Sequence, residues 1–435
     1  MLDLFNGLLS LFLSHESPKA EMLRSVNWSS WLHTVWVQSM VIQQPDPQAE
    51  AAVRQHLQGM TALNAPLNSQ GIWIQSGDQV LAEHDGIQPL PAASLTKIAT
   101  TLAALTTWGP NHRFETLLSG TGQVENGVLK GDLVVQGSGD PFFVWEEAIV
   151  LGNALNQKGI RQVNGNLIIT GSFAMNFETD PVLAGNFLKR AFDASRWSAD
   201  IATQYQGLPA GTARPQVKIT GSVQFQPVDA LKNRSKLLIR HQSLPMVDIL
   251  KAMNIYSNNI MAEMLANLMG GGAGVMQRVR QITQIPAGEI QLRNGSGLGI
   301  ENRLSPRAIT AMLIATQRYL QPRNLTIADI YPVMGRDGGT LKSRVLPPGS
   351  TVKTGTLNEV SALAGVMPTR DRGLIWFAVI NLGAGDLEDF HQQQDRLLQN
   401  LQKDWGTPSP LPPSIQPSRS TNPGRLGAAE RNELM

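Results

Sequence analysis

The spacing of apolar side chains changes period along the chain, and those changes divide it into segments. Residues 49 to 60 carry a helical spacing, whereas Gly71 to Ser76 and Gln79 to His84 alternate around Gly77-Asp78, a turn-forming dipeptide that predicts a β-hairpin. Ser94 to Thr107 places Ala, Leu and Ile as a buried helix would, entered from a loop. From about 110 to 240 the pattern breaks into short strand-like runs, Leu133 to Val135, Asn166 to Thr170 and Gln216 to Thr220, separated by glycine-rich turns and one helical stretch, Val144 to Lys158. A smaller inserted module is predicted there.

Met246, Ile249, Leu250 and Met253 fall at i, i+3, i+4 and i+7, and Ile260, Met261, Met264, Leu265 and Leu268 form a second stripe that Gly270-Gly271-Gly272 is expected to stop. Tyr256-Ser257-Asn258-Asn259 between them suits a helix-helix corner. The methionines in these stripes are read as core filler. Strands are predicted at Thr351 to Lys353, Leu363 to Met367 and Leu374 to Ile380, then an amphipathic helix from Leu387 to Trp405. Beyond Gly406 the Pro-, Ser-, Asn- and Arg-rich tail lacks apolar content and is expected to be disordered. No internal repeat is visible.

The chain of 435 residues is long enough for two domains and a large core, and its 42% hydrophobic and 16% charged residues are those of an ordinary globular protein. A net charge of +2 without clustered Lys or Arg predicts no nucleic-acid surface. The absence of cysteine removes disulfides, thiolate catalysis and thiolate metal sites. The seven histidines are scattered singly and are read as structural, so no metal and no cofactor is predicted. At the N-terminus the apolar run Leu8 to Leu13 is short and follows Asp3, where a signal peptide would carry Lys or Arg. No run reaches the ~18 apolar residues of a spanning helix. Membrane association and the export route are left open.

Ser94-Leu95-Thr96-Lys97 places a hydroxyl and an amine three positions apart where a helix begins, so both share one face. A lysine can take a serine proton only when its amine is partly neutral, a state favoured by burial and by a neighbouring cation. Lys353-Thr354-Gly355-Thr356 offers a second lysine on a strand. There the glycine would leave room for a substrate beside the backbone, and the lysine cation with the Thr354 and Thr356 hydroxyls would suit a carboxylate. Ser257 and Asn259, two apart, could bridge the nucleophile and a substrate amide. Each tetrapeptide alone is weak evidence, because Ser94 could equally cap a helix and Ser257 could be a turn residue. Gly137-Ser138-Gly139-Asp140-Pro141 is read as a turn, since no Gly-Lys-Ser/Thr follows it, with Asp140 structural.

The order SxxK, SxN, KTG along the chain resembles that of penicillin-binding proteins and β-lactamases. With Gly71-Ile72-Trp73-Ile74-Gln75, Pro91-Ala92-Ala93-Ser94, Arg113-Phe114-Glu115-Thr116, Gly139-Asp140-Pro141, Asn294-Gly295-Ser296-Gly297-Leu298, Gly339-Thr340-Leu341 and Ser361-Ala362-Leu363-Ala364-Gly365, residues 70 to 385 resemble the D-alanyl-D-alanine carboxypeptidase/endopeptidase group. These are low-molecular-mass class C penicillin-binding proteins of peptidase family S13. The resemblance implies an α/β (α+β) fold of the β-lactamase/transpeptidase-like type, an antiparallel sheet flanked by helices, with an inserted strand-rich module. The implied organisation is an N-terminal segment (1–45), targeting or peripheral; a catalytic domain (46–110 and 240–405); the module (111–239); and a disordered tail (406–435).

For this group the resemblance implies that Ser94 is acylated, Lys97 is its base, Ser257 and Asn259 relay protons and hold the substrate amide, and Lys353 completes the electrostatic site. The backbone N–H groups of Ser94 and Thr356 would form the oxyanion hole, and Thr354, Gly355 and Thr356 would bind the substrate terminus. Peptidoglycan stem peptides and β-lactam antibiotics are the implied partners, and the periplasm or outer face of the envelope the implied location.

Ser94 and Ser257 stand 163 positions apart, longer than in class A β-lactamases and shorter than in full-length S13 members, which implies that one of two inserted domains is reduced or absent. Where the family commonly reads Asp-Gly-Ser-Gly-Leu-Ser-Arg, this chain has Asn294, Gly299 and Ile300 in place of the aspartate, second serine and arginine. The tryptophan and aspartate that often follow the first inserted strands are not recognisable after Ser172. Two other readings stay open at this point, a serine β-lactamase and a catalytically silent wall-binding homologue.

Overall fold

The computed structural model describes residues 42–231, 234–418 and 426–435; the N-terminal run Leu8 to Leu13 lies outside them. The chain enters through β1 (Ile42–Gln43) and α1 (Pro47–Ala62), forms the hairpin β2 (Gln70–Ser76) and β3 (Gln79–His84), and then α2 (Thr96–Trp108). The next segment holds β4 (Glu115–Gly120), β5 (Leu133–Ser138), α3 (Trp145–Gln157), β6 (Leu167–Ser172), α4 (Pro181–Ala191), α5 (Ala199–Gln206), β7 (Val223–Phe225) and β8 (Lys236–Gln242). There follow α6 (Met246–Tyr256), α7 (Asn259–Leu268), α8 (Gly271–Thr283), α9 (Pro306–Leu320), β9 (Thr351–Leu357), β10 (Val360–Thr369), β11 (Gly373–Leu382), α10 (Leu387–Trp405) and β12 (Asn432–Leu434).

The main sheet runs β1-β3-β2-β11-β10-β9 and is antiparallel apart from the short β1 edge. Its central strands are apolar almost throughout because both faces are covered. Ile375, Phe377 and Val379 of β11 join Leu397, Leu401 and Trp405 of α10, with Ala49 and Val53 of α1, on one side. Trp376, Ala378 and Ile380 point to the other side, into a core shared with α2, α6, α7 and α9. Alternation of side chains along a strand puts neighbours on opposite faces, so one strand serves two cores. Helix α2 lies inside the second core and is buried at every position from Thr96 to Leu105.

The second sheet, β7-β6-β5-β4-β8-β12, has its own core, built from residues such as Leu118, Val135, Ile149, Leu167 and Ile239. Two features differ from the sequence expectation, the number of helices in this segment and the order of the tail. Helices α4 and α5 join the single predicted helix of this segment. As the sequence predicts, α7 ends at Leu268 just before the glycine triplet, and the triplet also opens α8: Gly270 is left-handed at φ 93°, and a Cβ on Gly272 would lie 2.6 Å from the backbone of Arg293 and Asn294, so only glycine lets the two segments meet. The tail expected to be disordered packs on the molecule at both described stretches. Ile415 is buried, β12 pairs antiparallel with β8, and the Arg431 guanidinium meets buried Glu147 at 2.5 Å. Apolar content was a poor guide there, because polar partners already buried in the second sheet and in α3 hold the segment.

Candidate active site

The nucleophile candidate sits on a strained turn. Ala93, immediately before Ser94, has φ 47°, a left-handed conformation uncommon for a residue with a Cβ. Gly297 backs onto that turn so closely that a Cβ there would lie 1.8 Å from the Ala93 carbonyl oxygen. Ser94 does not cap the helix: the N-cap of α2 is Leu95, which makes no side-chain cap bond, and the Ser94 hydroxyl instead faces Lys97.

Lys97 is fully buried. Its Nζ donates to Ser94 Oγ at 2.9 Å, to Asn259 Oδ1 at 2.7 Å and to the Ser296 carbonyl at 2.8 Å. Burial pulls its pKa down from 10.5 to about 7, opposed by the negative charge of Glu263. Lysine reaches so dry a position because α2 is inside the core and its amine has three oxygen neighbours.

Ser257 and Asn259 come from the corner between α6 and α7. Ser257 ends α6 in the left-handed region at φ 52°, and Asn258 caps α7 by accepting from the Met261 N–H at 3.0 Å. Two residues thus turn the chain, which places the Ser257 hydroxyl and the Asn259 amide on either side of the cap. Lys353 of β9 is buried and donates to Ser257 Oγ at 2.9 Å and to the Thr354 carbonyl at 2.6 Å. Burial, and then repulsion from Lys97, push its pKa well below 10.5. The charged form of Lys353 is thus disfavoured by its surroundings.

The structure joins the predicted residues into two hydrogen-bonded groups, Ser94 with Lys97 and Asn259, and Ser257 with Lys353, linked through the corner. Thr354 Oγ1 donates to Thr340 Oγ1 at 2.9 Å, and Thr356 is exposed beside it on the strand. Gly355 also has a packing role. A Cβ there would lie 3.1 Å from the Ala92 carbonyl oxygen and the Ser94 nitrogen, so the glycine lets β9 press against the protein's own nucleophile turn.

Several neighbours were given no individual role from sequence. Glu263, one turn beyond Asn259 on α7, accepts from the Gly295 and Ser296 N–H groups. Thr100 donates to the Gly295 carbonyl at 2.7 Å, and Asn302 accepts from the Arg293 and Asn294 N–H groups. Thr340 stands in a turn whose Gly339 has φ 65° and would, with a Cβ, meet the Ile255 carbonyl oxygen at 2.2 Å. Beside the site opens a cleft of about 880 Å³, bounded by Asn259, Glu263 and Ser296 on one side and by Phe173, Thr179 and Phe225 on the other. Met264, read as core filler, lines this cleft instead. Among the described residues no cluster of metal-binding side chains occurs.

The D-Ala-D-Ala carboxypeptidase 3 (S13) family model matches residues 49–205 and 210–401. The chain belongs to the S13 peptidase family. It is 25% identical over 410 residues to D-alanyl-D-alanine carboxypeptidase DacB of Haemophilus influenzae, a match covering 72% of this chain and 85% of that protein. To the D-alanyl-D-alanine carboxypeptidase of Actinomadura sp. strain R39 it is 23% identical over 413 residues, covering 71% and 76% of the two chains. Among solved structures, the Bd3459 predatory endopeptidase of Bdellovibrio bacteriovorus, in complex with the immunity protein Bd3460, superposes with a TM-score of 0.68 at 21% identity, covering 83% of this S13 chain and 99% of that one. Penicillin-binding protein 4 of Haemophilus influenzae gives 0.61 at 18% identity, covering 81% and 99%. The S13 chain shares their fold, an antiparallel sheet between helical layers with further sheets added.

Proposed function

We propose that this S13 peptidase hydrolyses D-Ala-containing peptide bonds of peptidoglycan stem peptides through an ester on Ser94. The observation that carries this reading is the set of three oxygens around one buried amine. Two of them, Asn259 Oδ1 and the Ser296 carbonyl, can only accept, so a neutral Lys97 gives its two hydrogens to them and turns its lone pair to the Ser94 hydroxyl. A base so held takes the Ser94 proton as Oγ attacks the substrate carbonyl. The C–N bond breaks, and the proton that Lys97 took passes to the leaving D-alanine amine, with the Ser257–Lys353 pair read as its relay. Water then cleaves the ester and frees Ser94.

The close packing of Gly355 on the nucleophile turn supports an oxyanion hole made by the Ser94 and Thr356 N–H groups, where each donor contributes ~3 kcal/mol to the barrier reduction. Thr354 and Thr356 are the candidates for the terminal carboxylate, whose arrival would favour the charged form of Lys353. β-Lactams would acylate Ser94 by the same route, a reading supported by the penicillin G-acylated form of the Bd3459 endopeptidase among the similar solved structures. Residues 46–110 with 240–405 are read as the catalytic domain and 111–239 as the inserted module. A cell-wall substrate implies a location outside the cytoplasm, read here as the periplasm or the outer envelope face. No described helix is long and apolar enough to cross a membrane.

Peptidoglycan fragments incubated with the protein and analysed by mass spectrometry test the reading. Loss of one alanine from a pentapeptide is expected for carboxypeptidase action, and separation of a cross-linked dimer for endopeptidase action. Products that persist unchanged with Ser94→Ala would contradict it, as would intact fragments with the unaltered protein.

A further inference from the structure

We propose that Glu263 is a positioning residue of this active site: its carboxylate clamps the Gly295–Ser296 backbone against α7, so that the Ser296 carbonyl keeps hold of the Lys97 amine. The inference rests on Lys97 being the base for Ser94. Glu263 and Asn259 are four residues apart on α7, so their side chains lie on one face of the helix. Asn259 reaches Lys97 directly, whereas Glu263 reaches the loop behind it, with Oε2 accepting from Gly295 N–H at 3.1 Å and Oε1 from Ser296 N–H at 2.9 Å. Both carboxylate oxygens are thus engaged by consecutive backbone amides, a two-point grip that fixes the orientation of the intervening peptide.

The loop is also built to be gripped. A Cβ on Gly295 would lie 2.4 Å from the Ala266 side chain and 2.7 Å from the Ala262 carbonyl oxygen, so the absence of a side chain there is what lets the two amides reach the carboxylate. On the far side of the same peptides, the Gly295 carbonyl accepts from Thr100 and the Ser296 carbonyl accepts from Lys97, both on α2. The loop therefore bridges α7 to the helix that carries the base.

The charge has a second effect. Two titratable groups face Lys97: Glu263 from α7, whose charge favours the ammonium form, and Lys353 from β9, whose own pKa burial pushes well below 10.5. Uncharged Ser94, Asn259 and the Ser296 carbonyl complete its surroundings. Removing the Glu263 charge leaves burial unopposed, so Lys97 should lose its proton at lower pH. A residue that merely packed would leave that pH unchanged.

The test is the rate of acylation by a labelled penicillin as a function of pH, for the unaltered protein and for Glu263→Gln and Glu263→Asp. Gln keeps the size but removes the charge and sets an NH₂ against one of the two amides. The acid limb of the profile is expected to move down by ~0.5 pH or more, and the plateau to fall about ten- to hundredfold, with the non-covalent penicillin dissociation constant unchanged. Asp keeps the charge, so the limb should return close to its original position while the plateau stays reduced. An unmoved limb with Gln would overturn the proposal, and so would a loss confined to the dissociation constant, which would make Glu263 a substrate contact. If the Gln variant does not fold, Asp alone decides: a limb displaced from that of the unaltered protein, or a plateau equal to it, would overturn the proposal. Absence of acylation in the unaltered protein would instead defeat the reading of Ser94 and Lys97 on which the proposal stands.

Discussion

Replacing Lys97 with methionine should abolish acylation and yet stabilise the fold at neutral pH, and both effects follow from one buried amine. In the unfolded chain this amine titrates near 10.5, and in the folded site at about 7. The folded pKa is depressed, so between those values the unfolded chain holds the extra proton. The penalty on folding is then complete below about pH 7, shrinks as pH rises, and vanishes above 10.5. At about 1.4 kcal/mol for each tenfold change in proton affinity, the penalty near pH 6 is roughly 5 kcal/mol. Methionine removes it but leaves Asn259 Oδ1 and the Ser296 carbonyl without a donor, at about 1–2 kcal/mol each. The net expectation is a gain of roughly 1–3 kcal/mol at pH 6, falling through zero to a loss as pH approaches 10.5. Urea unfolding at a series of pH values measures it, with penicillin acylation followed in parallel and expected to fall by ~100-fold or more. A stability difference that does not vary with pH would refute the buried, half-neutral amine, and acylation at the original rate would refute its role as base.

Asn259→Asp should set a carboxylate beside Lys97 and raise its pKa, moving the acid limb of penicillin acylation to higher pH and cutting the rate at neutral pH about tenfold; an unmoved limb would show that this contact does not govern the amine. Gly339→Ala forces a Cβ into a left-handed turn against the Ile255 carbonyl, which should cost ~2 kcal/mol in thermal or urea unfolding and raise KM for peptides with a free terminal carboxylate by displacing Thr340 from Thr354. Arg431→Met leaves Glu147 buried without its guanidinium, with a loss of about 3–5 kcal/mol expected in urea unfolding and little change in the acylation rate.

The chemistry was more legible in the sequence than the scaffold around it. Ser94 and Lys97 were readable because three residues of helix fix their relation locally, and the hairpin was readable because Gly77-Asp78 interrupts two alternating runs. That Ser257 should meet Lys353, 96 positions away, was not a local fact and entered through family resemblance. The glycine triplet was readable as the end of α7, but not as the start of α8, where Gly272 is needed because two backbones nearly touch. The Ser296 carbonyl leaves no mark in the sequence, since every residue has one. Helix α9 did carry a signal, Ser305-Pro306, where the serine caps through the Ala308 N–H and the proline takes the first turn. The tail was misjudged because its anchor, Glu147, sits in α3 nearly 300 positions earlier.

The most direct measurement is the site of covalent attachment. Incubation with a labelled penicillin, proteolysis and mass spectrometry should find the adduct on the peptide containing Ser94, persisting far longer than the seconds over which a β-lactamase would release it, and absent from Ser94→Ala. An adduct on another residue, or one that survives the Ser94→Ala substitution, would contradict the central claim; so would no adduct at all on the unaltered protein.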